Sequence, residues 1–136
     1  MATFPLGDLD KWVTSVQSRV SAVEKQSAQD VIEVAQKPRG KGGNMPVDTG
    51  YLRNSGQAKL NSLPSGESSE ANETAVALVI YRAKPGDKIY FGWTAVYSRA
   101  MERKYGYMRL AAQKWDRIVA LNAAKLKNAS LSRGQQ

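Results

Sequence analysis

The sequence predicts an α+β fold: a long N-terminal helix, a small antiparallel β-sheet with a hairpin, and C-terminal helices packed on it. Apolar residues recur at helical spacing through the first third of the chain and again through the last. Between them lie two short runs rich in β-branched and aromatic residues, separated by a Pro-Gly-Asp turn. For a chain of 136 residues and 14.9 kDa, folding reduces the accessible surface from about 21,600 Å² to roughly 7,000 Å². A single domain can therefore form without disulfides or metal.

From Asp8 to about Gln36, the residues Leu9, Val13, Val16, Val20 and Val23 alternate steps of four and three, and Val31, Val34 and Ala35 follow. This is the stripe of an amphipathic helix. Asp8 is placed as its N-cap, and Lys37-Pro38 with Gly40 closes it. A helix of about 28 residues is ~42 Å long, more than a domain of this size needs for its own core, so part of it is expected to pack on another subunit. The stripe skips near Ser27, which leaves two shorter helices as the alternative.

Lys37 to Asn44 combines turn formers with Lys37, Arg39 and Lys41, and a mobile loop is expected over 37–46. Its cations suit either phosphate contact or plain solvation. Asp48-Thr49-Gly50 is turn chemistry: Asp or Thr bonds the following amides and Gly permits a positive φ. The triplet also occurs around aspartic-protease carboxylates, but those need two such sites sharing a proton, and one is present.

Residues 61–73 are polar and read as a surface loop or arm. Thr74 to Ala83 reads as a strand apolar on both faces, Pro85-Gly86-Asp87 as a turn, and Ile89 to Trp93 as a second strand antiparallel to the first. A short strand around Gly56 to Leu60 completes the sheet. Helices are expected from Val96 to about Lys104 and from Met108 to about Lys127, with a corner at Tyr105-Gly106-Tyr107. Met108, Ala111, Trp115, Ile118, Val119, Asn122 and Leu126 share one face of the second. Trp115 is assigned to the core, and Tyr90, Phe91 and Trp93 to core and interface rather than base stacking. The domain is set at 1–127, with a flexible tail over 128–136.

The chain has no His and no Cys. Thiol nucleophiles, thiolate or imidazole metal sites, imidazole general bases and Ser-His-Asp triads are excluded. Carboxylate-only catalysis, a hard-cation site or a Ser-Lys pair survive, but the 12 acidic residues lack motif spacing. The expectation is neither an enzyme nor a cofactor protein. No apolar run approaches the ~20 residues of a membrane span, and the first residues lack signal-peptide features, so a protein kept in the cytosol or assembled from it is expected.

The net charge is +8, and from Arg99 onward nine Lys/Arg face two Asp/Glu. The last helices, with Arg109, Lys114 and Arg117, thus present a basic face for DNA, for an acidic partner, or for solvent alone. No helix-turn-helix, zinc-finger or RNP pattern accompanies it.

The order long helix, Pro-Val-Asp-Thr-Gly-Tyr-Leu-Arg-Asn-Ser, β-hairpin, then Tyr97 to Gly106 resembles the minor tail components of long-tailed bacteriophages. These are the small neck or tail-completion proteins at the head–tail junction. The family's Val-x-Thr-Gly-x-Leu-Arg-x-Ser turn falls on Val47, Thr49, Gly50, Leu52, Arg53 and Ser55, with Asp48 inside it. Its later Tyr and Glu-x-x-x-Gly stretch falls on Tyr97, Glu102 and Gly106, spaced differently from the commoner Tyr-x-x-x-x-Glu-x-Gly. The resemblance covers roughly residues 5 to 127.

What the resemblance implies is a non-catalytic virion subunit at the head–tail junction, assembled in the host cytoplasm. It would form a ring, most often a hexamer, that joins or seals the tail to the DNA-filled head. Its partners would be copies of itself, neighbouring neck, connector or stopper proteins, and tail tube or terminator proteins. Lys37, Arg39, Lys41, Arg109, Lys114 and Arg117 would face either channel DNA or an acidic ring. A tail terminator ring protein of the same neck, and a small non-specific DNA-binding protein using its basic C-terminal helices, are the alternatives. Thr49, Gly50 and Arg53 form either a turn whose Arg pairs inside the subunit or part of a subunit interface. Glu102 with Arg99 or Arg103 can equally be a surface helical pair.

Overall fold

The computed structural model describes residues 6–46, 50–64 and 73–134. Helix α1 (Leu6–Gln36) is unbroken, ~46 Å long at 1.5 Å per residue. It begins two residues before Asp8, which lies in its first turn rather than at its cap. The helix is continuous, as expected, and the alternative of a break near Ser27 does not occur for a physical reason: Ser27 is fully buried, and its Oγ accepts a hydrogen bond from Asn122 Nδ2 at 3.1 Å. A polar residue on the stripe meets a polar partner, so the helix has no cause to bend.

The loop after α1 closes on itself. Arg39–Lys41 form one 3-10 turn, Arg39 N donates to Met45 O, and Met45 N donates to Lys37 O. The segment expected as a mobile loop is thus a bonded turn, anchored by Met45, which is fully buried. Val47, Asp48 and Thr49 lie outside the described residues, as does 65–72 of the expected arm.

A one-turn helix α2 (Tyr51–Asn54) leads into strand β1 (Gly56–Leu60), which pairs antiparallel with β2 (Ile89–Trp93) from Gly56 opposite Trp93 to Leu60 opposite Ile89. The sheet has two strands, and the expected partner of β2 is not one of them. Thr74 to Ala83 falls instead in helix α3 (Glu73–Arg82) and the residue after it. Its burial explains the correction: Val76, Ala77, Val79, Ile80 and Ala83 turn inward while Thr74, Ala75, Leu78, Tyr81 and Arg82 are exposed. A run apolar on every side but covered on one has helical, not two-sided strand, burial, and Ala75, Ala77 and Leu78 favour the helix. Asn61 and Asp87 tie off the sheet's far end, with Lys88 N donating to Asn61 Oδ1 and Lys84 N to Asp87 Oδ2. The bonds from Lys84 N and the Asn61 side chain hold the Asp87 carboxyl below its usual pKa.

The chain ends in α4 (Ser98–Tyr105), α5 (Tyr107–Ala112) and α6 (Trp115–Gly134). The single helix expected from Met108 is divided by a turn at Gln113-Lys114, and α6 runs past Lys127, where the tail was expected to begin. The alternation of Ala, Lys and Leu from Ala123 onward supports that extension. Helix α6 lies antiparallel to α1: Ile118 packs on the cluster of Val31 and Ala35, Ser27 bonds Asn122, and Val23 lines the groove that Leu126 also lines.

Two linked clusters form the core. Met45, Leu52, Ala95 and Tyr107 make one; Val31, Ala35 and Ala111 make the other, and Trp93 and Met108 touch both. Trp93 stands edge-on to Phe91 and to Tyr107, with ring centroids 4.9 and 5.0 Å apart, the arrangement aromatic quadrupoles prefer. Trp115, expected in the core, is 37% exposed at the rim of a groove. Among the described residues no helix is long and apolar enough to cross a membrane.

Candidate functional site

The two motif segments meet. Gly50, at φ +82°, turns the chain into α2, a conformation a side chain would strain. Leu52 is then buried in the same cluster as Tyr107, and the Tyr51 ring lies 5.9 Å from that of Tyr97. Ser55 Oγ donates to Leu52 O at 2.7 Å, while Ser55 O accepts from both Thr94 N and Thr94 Oγ1 at 3.1 Å. Gly50, Leu52 and Ser55 therefore position β1 against β2. Arg53 is exposed and borders a hollow with Glu33 and Gln36 of α1.

The second segment builds the corner between α4 and α5. Glu102 is no simple surface pair: its two carboxylate oxygens accept from Met108 N at 2.9 Å and Arg109 N at 3.0 Å. A carboxylate across the first amides of a helix satisfies donors with no intrahelical partner and complements the dipole. Gly106, at φ +64°, makes the turn that brings Glu102 there, and a Cβ added to it would lie 2.8 Å from the Arg109 guanidinium. Tyr107 Oη donates to Ser98 O at 3.0 Å; burial, with the charge on Glu102 adding to it, pushes the phenol up to about 12. The spacing from Tyr97 to Gly106 is thus that of a capped helical corner.

The predicted basic residues divide into two sets. The Arg39 guanidinium lies 4.4 Å from the Tyr105 ring centre and Lys104 Nζ lies 5.3 Å from it, so one aromatic ring gathers cations from the loop and from the end of α4. Lys37 and Lys41 are exposed on the same loop. Arg109, Lys114 and Arg117 are exposed on α5, the following turn and α6; among the described contacts none joins them to the loop cations. Among the described residues no acidic cluster has metal-holding geometry.

One large open feature is not marked by the motifs. Between α1 and α6 runs an apolar groove of about 750 Å³, lined on one side by Val20 and Val23 and on the other by Trp115, Val119, Ala123 and Leu126. Val20, on the groove's own wall, is 60% exposed, and beyond the groove the stripe on α1 continues uncovered: Trp12 is 60% exposed, and Leu9, Val13 and Val16 are exposed as well. Sequence reasoning found the stripe through its periodicity. It missed the groove, because the α6 wall depends on a pairing fixed by Asn122 with Ser27 and Asp30, over ninety residues apart.

Compared with protein-family models, with curated proteins and with solved structures, the chain matches none of them.

Proposed function

We propose that this chain is a structural subunit of the phage neck or tail-completion layer, forming a ring, a hexamer, that joins or seals the tail to the DNA-filled head. The observation that carries the reading is the uncovered apolar length of α1 together with the groove beside it. Large exposed apolar patches rimmed by polar residues mark interaction surfaces, and a ring subunit needs two different ones. Among the described motif residues, Leu52, Ser55, Glu102 and Gly106 brace the fold, leaving other helix faces free to meet partners. The subunit acts without catalysis or cofactor, and its neighbours are other neck, connector or stopper, and tail tube or terminator proteins.

Electron microscopy of virions carrying a labelled copy tests this. The label is expected at the head–tail junction, and loss of the protein is expected to leave heads and tails unjoined in a complementation assay. Virions lacking the protein altogether would refute it. A label on the tail's upper end alone favours the terminator ring of the same neck.

The exposed cations of the C-terminal helices, Arg109, Lys114 and Arg117, favour a second reading, a small non-specific DNA-binding protein. Replacing Arg109, Lys114 and Arg117 by Glu then abolishes duplex binding, which should fall steeply with salt beforehand.

A further inference from the structure

Cations from three segments come together at the corner between α4 and α5. The loop after α1 is fixed by the bonds from Arg39 N to Met45 O and from Met45 N to Lys37 O, and Met45 anchors it in the cluster on which Tyr105 packs. Arg39 thus reaches the Tyr105 ring from the loop, and Lys104 reaches it from α4. Arg109 approaches from α5: its guanidinium folds back over Gly106, the residue after Tyr105, into space that a Cβ would occupy. Segments 37–46 and 98–114 together hold eight Lys/Arg and one acid, Glu102. That acid is engaged within the fold, its oxygens accepting from Met108 N and Arg109 N. Among the described residues no carboxylate pairs with Arg39, Lys104 or Arg109.

We infer that this corner binds the phosphate backbone of duplex DNA, with Arg39, Lys104 and Arg109 each meeting a phosphate. The inference rests on the reading that the chain meets DNA, alone or in the channel of a ring, and it names the contact. Cations gathered without an acid repel one another, and a polyanion relieves that repulsion. A guanidinium laid on a ring uses its face there and keeps the donors on its edge for phosphate oxygens. The bonded loop and the ring hold Arg39 in place beforehand, so binding costs little side-chain freedom. An acidic protein surface is the rival occupant. Protein interfaces depend on an apolar centre with charges at the rim, whereas here the ring at the centre lies beside two cations. Strong positive charge is instead the mark of nucleic-acid interfaces. Contacts of this kind position the backbone and read no bases.

The test is fluorescence anisotropy with full-length protein and a mixed-sequence duplex, between about 50 and 200 mM salt. Arg39→Gln, Lys104→Gln and Arg109→Gln, all at exposed positions, are each expected to weaken binding about tenfold at the lower salt. Each should also flatten the slope of log K against log salt by about 0.9, and the three together by about 2.7. Lys59→Gln with Lys88→Gln removes exposed charge at the sheet's far end and should move the slope by less than about 0.3. Tyr105→Leu keeps every charge but frees Arg39, so binding should weaken about threefold at an unchanged slope, and Tyr105→Phe should bind like the unchanged chain. Circular dichroism checks that each variant is folded. Poly-glutamate is expected to displace the duplex less well than unlabelled duplex of equal charge. Corner variants that bind like the unchanged chain, losses no larger than those of the Lys59 and Lys88 pair, or better competition by poly-glutamate would each overturn the inference. If Lys114→Gln with Arg117→Gln removes binding that the corner variants keep, the contact lies on α6, and the DNA reading stands without this site. An unchanged chain that binds no duplex at about 50 mM salt defeats both.

Discussion

The two halves of α1 both carry apolar residues at helical spacing and have opposite fates. From Ser27 to Ala35 the helix is enclosed: Ser27 and Ala35 are wholly buried, Val31 nearly so, and α5 and α6 cover them. From Leu9 to Val20 the apolar spacing is as regular, yet every residue in that stretch is exposed. Periodicity tells a helix which face is sticky, not what will cover it. The closed half gathers the residues that hold the fold, including both motif segments through Met108 and Trp93. The open half contributes little to the subunit's own stability. Substitutions should therefore divide along this line.

The largest loss is expected at Tyr107, 2% exposed and packed between Trp93 and Leu52. Tyr107→Ala should cost about 3–5 kcal/mol, the range for removing a buried aromatic ring, measured by urea unfolding at neutral pH. A cost below about 1 kcal/mol would mean that the motif cluster is not the stable centre of the molecule.

Asn122→Ala comes next. It leaves Ser27 Oγ and Asp30 Oδ2 without the amide they share, and a buried polar group stripped of its partner costs about 1–3 kcal/mol. The same substitution should loosen α6 from α1, so amide exchange along α6 should quicken while that of β1 and β2 stays as it was. Equal effects in both places would erase the boundary drawn at Ser27.

Tyr107→Phe gives a smaller and pH-dependent effect. The fold holds the phenol neutral and raises its pKa from an ordinary value near 10 to about 12. The folded form thus binds the proton more tightly than the unfolded chain. That contribution is fully present below about pH 10 and is lost as pH rises from about 10 to about 12. Tyr107→Phe should cost about 1 kcal/mol at neutral pH through the lost bond to Ser98 O, and should lessen the fall in stability over that alkaline window. Parallel pH profiles for the two proteins would show that the phenol is not selectively neutral.

The features read correctly from sequence are those set by neighbours in the chain. The periodicity of α1, the turn at Pro85-Gly86-Asp87, the strand Ile89 to Trp93 and the corner around Gly106 all follow from local residue types. The errors lie where distant contacts decide. Val76, Val79 and Ile80 suit a strand as well as a helix, and α3 is settled by packing on β1 and α1. Trp115 sits on the apolar face of its helix, but that face borders an open groove rather than another element. Glu102 was legible as a charged helix residue; its role as the cap of α5 depends on the reversal at Gly106. The motifs themselves mark a braced corner and a turn, and their spacing carries no record of the groove.

The smallest expected effect is the most discriminating. Val16→Ala removes two methyl groups from the open half, as Val31→Ala does from the closed half, so chemistry is matched and only surroundings differ. Val31, 9% exposed, loses contacts with its neighbours in the second core cluster, and its shortening should cost about 1 kcal/mol or more. Val16, 37% exposed, should change the unfolding free energy of the isolated subunit by less than about 0.5 kcal/mol. Because a solvated valine offers the subunit almost nothing, any loss that Val16→Ala causes must appear in self-association, as a higher concentration for assembly at unchanged melting of the monomer. If the two valines instead cost the same in urea unfolding of the monomer, the first half of α1 is covered by its own chain, and the division of the helix into a closed and an open half fails.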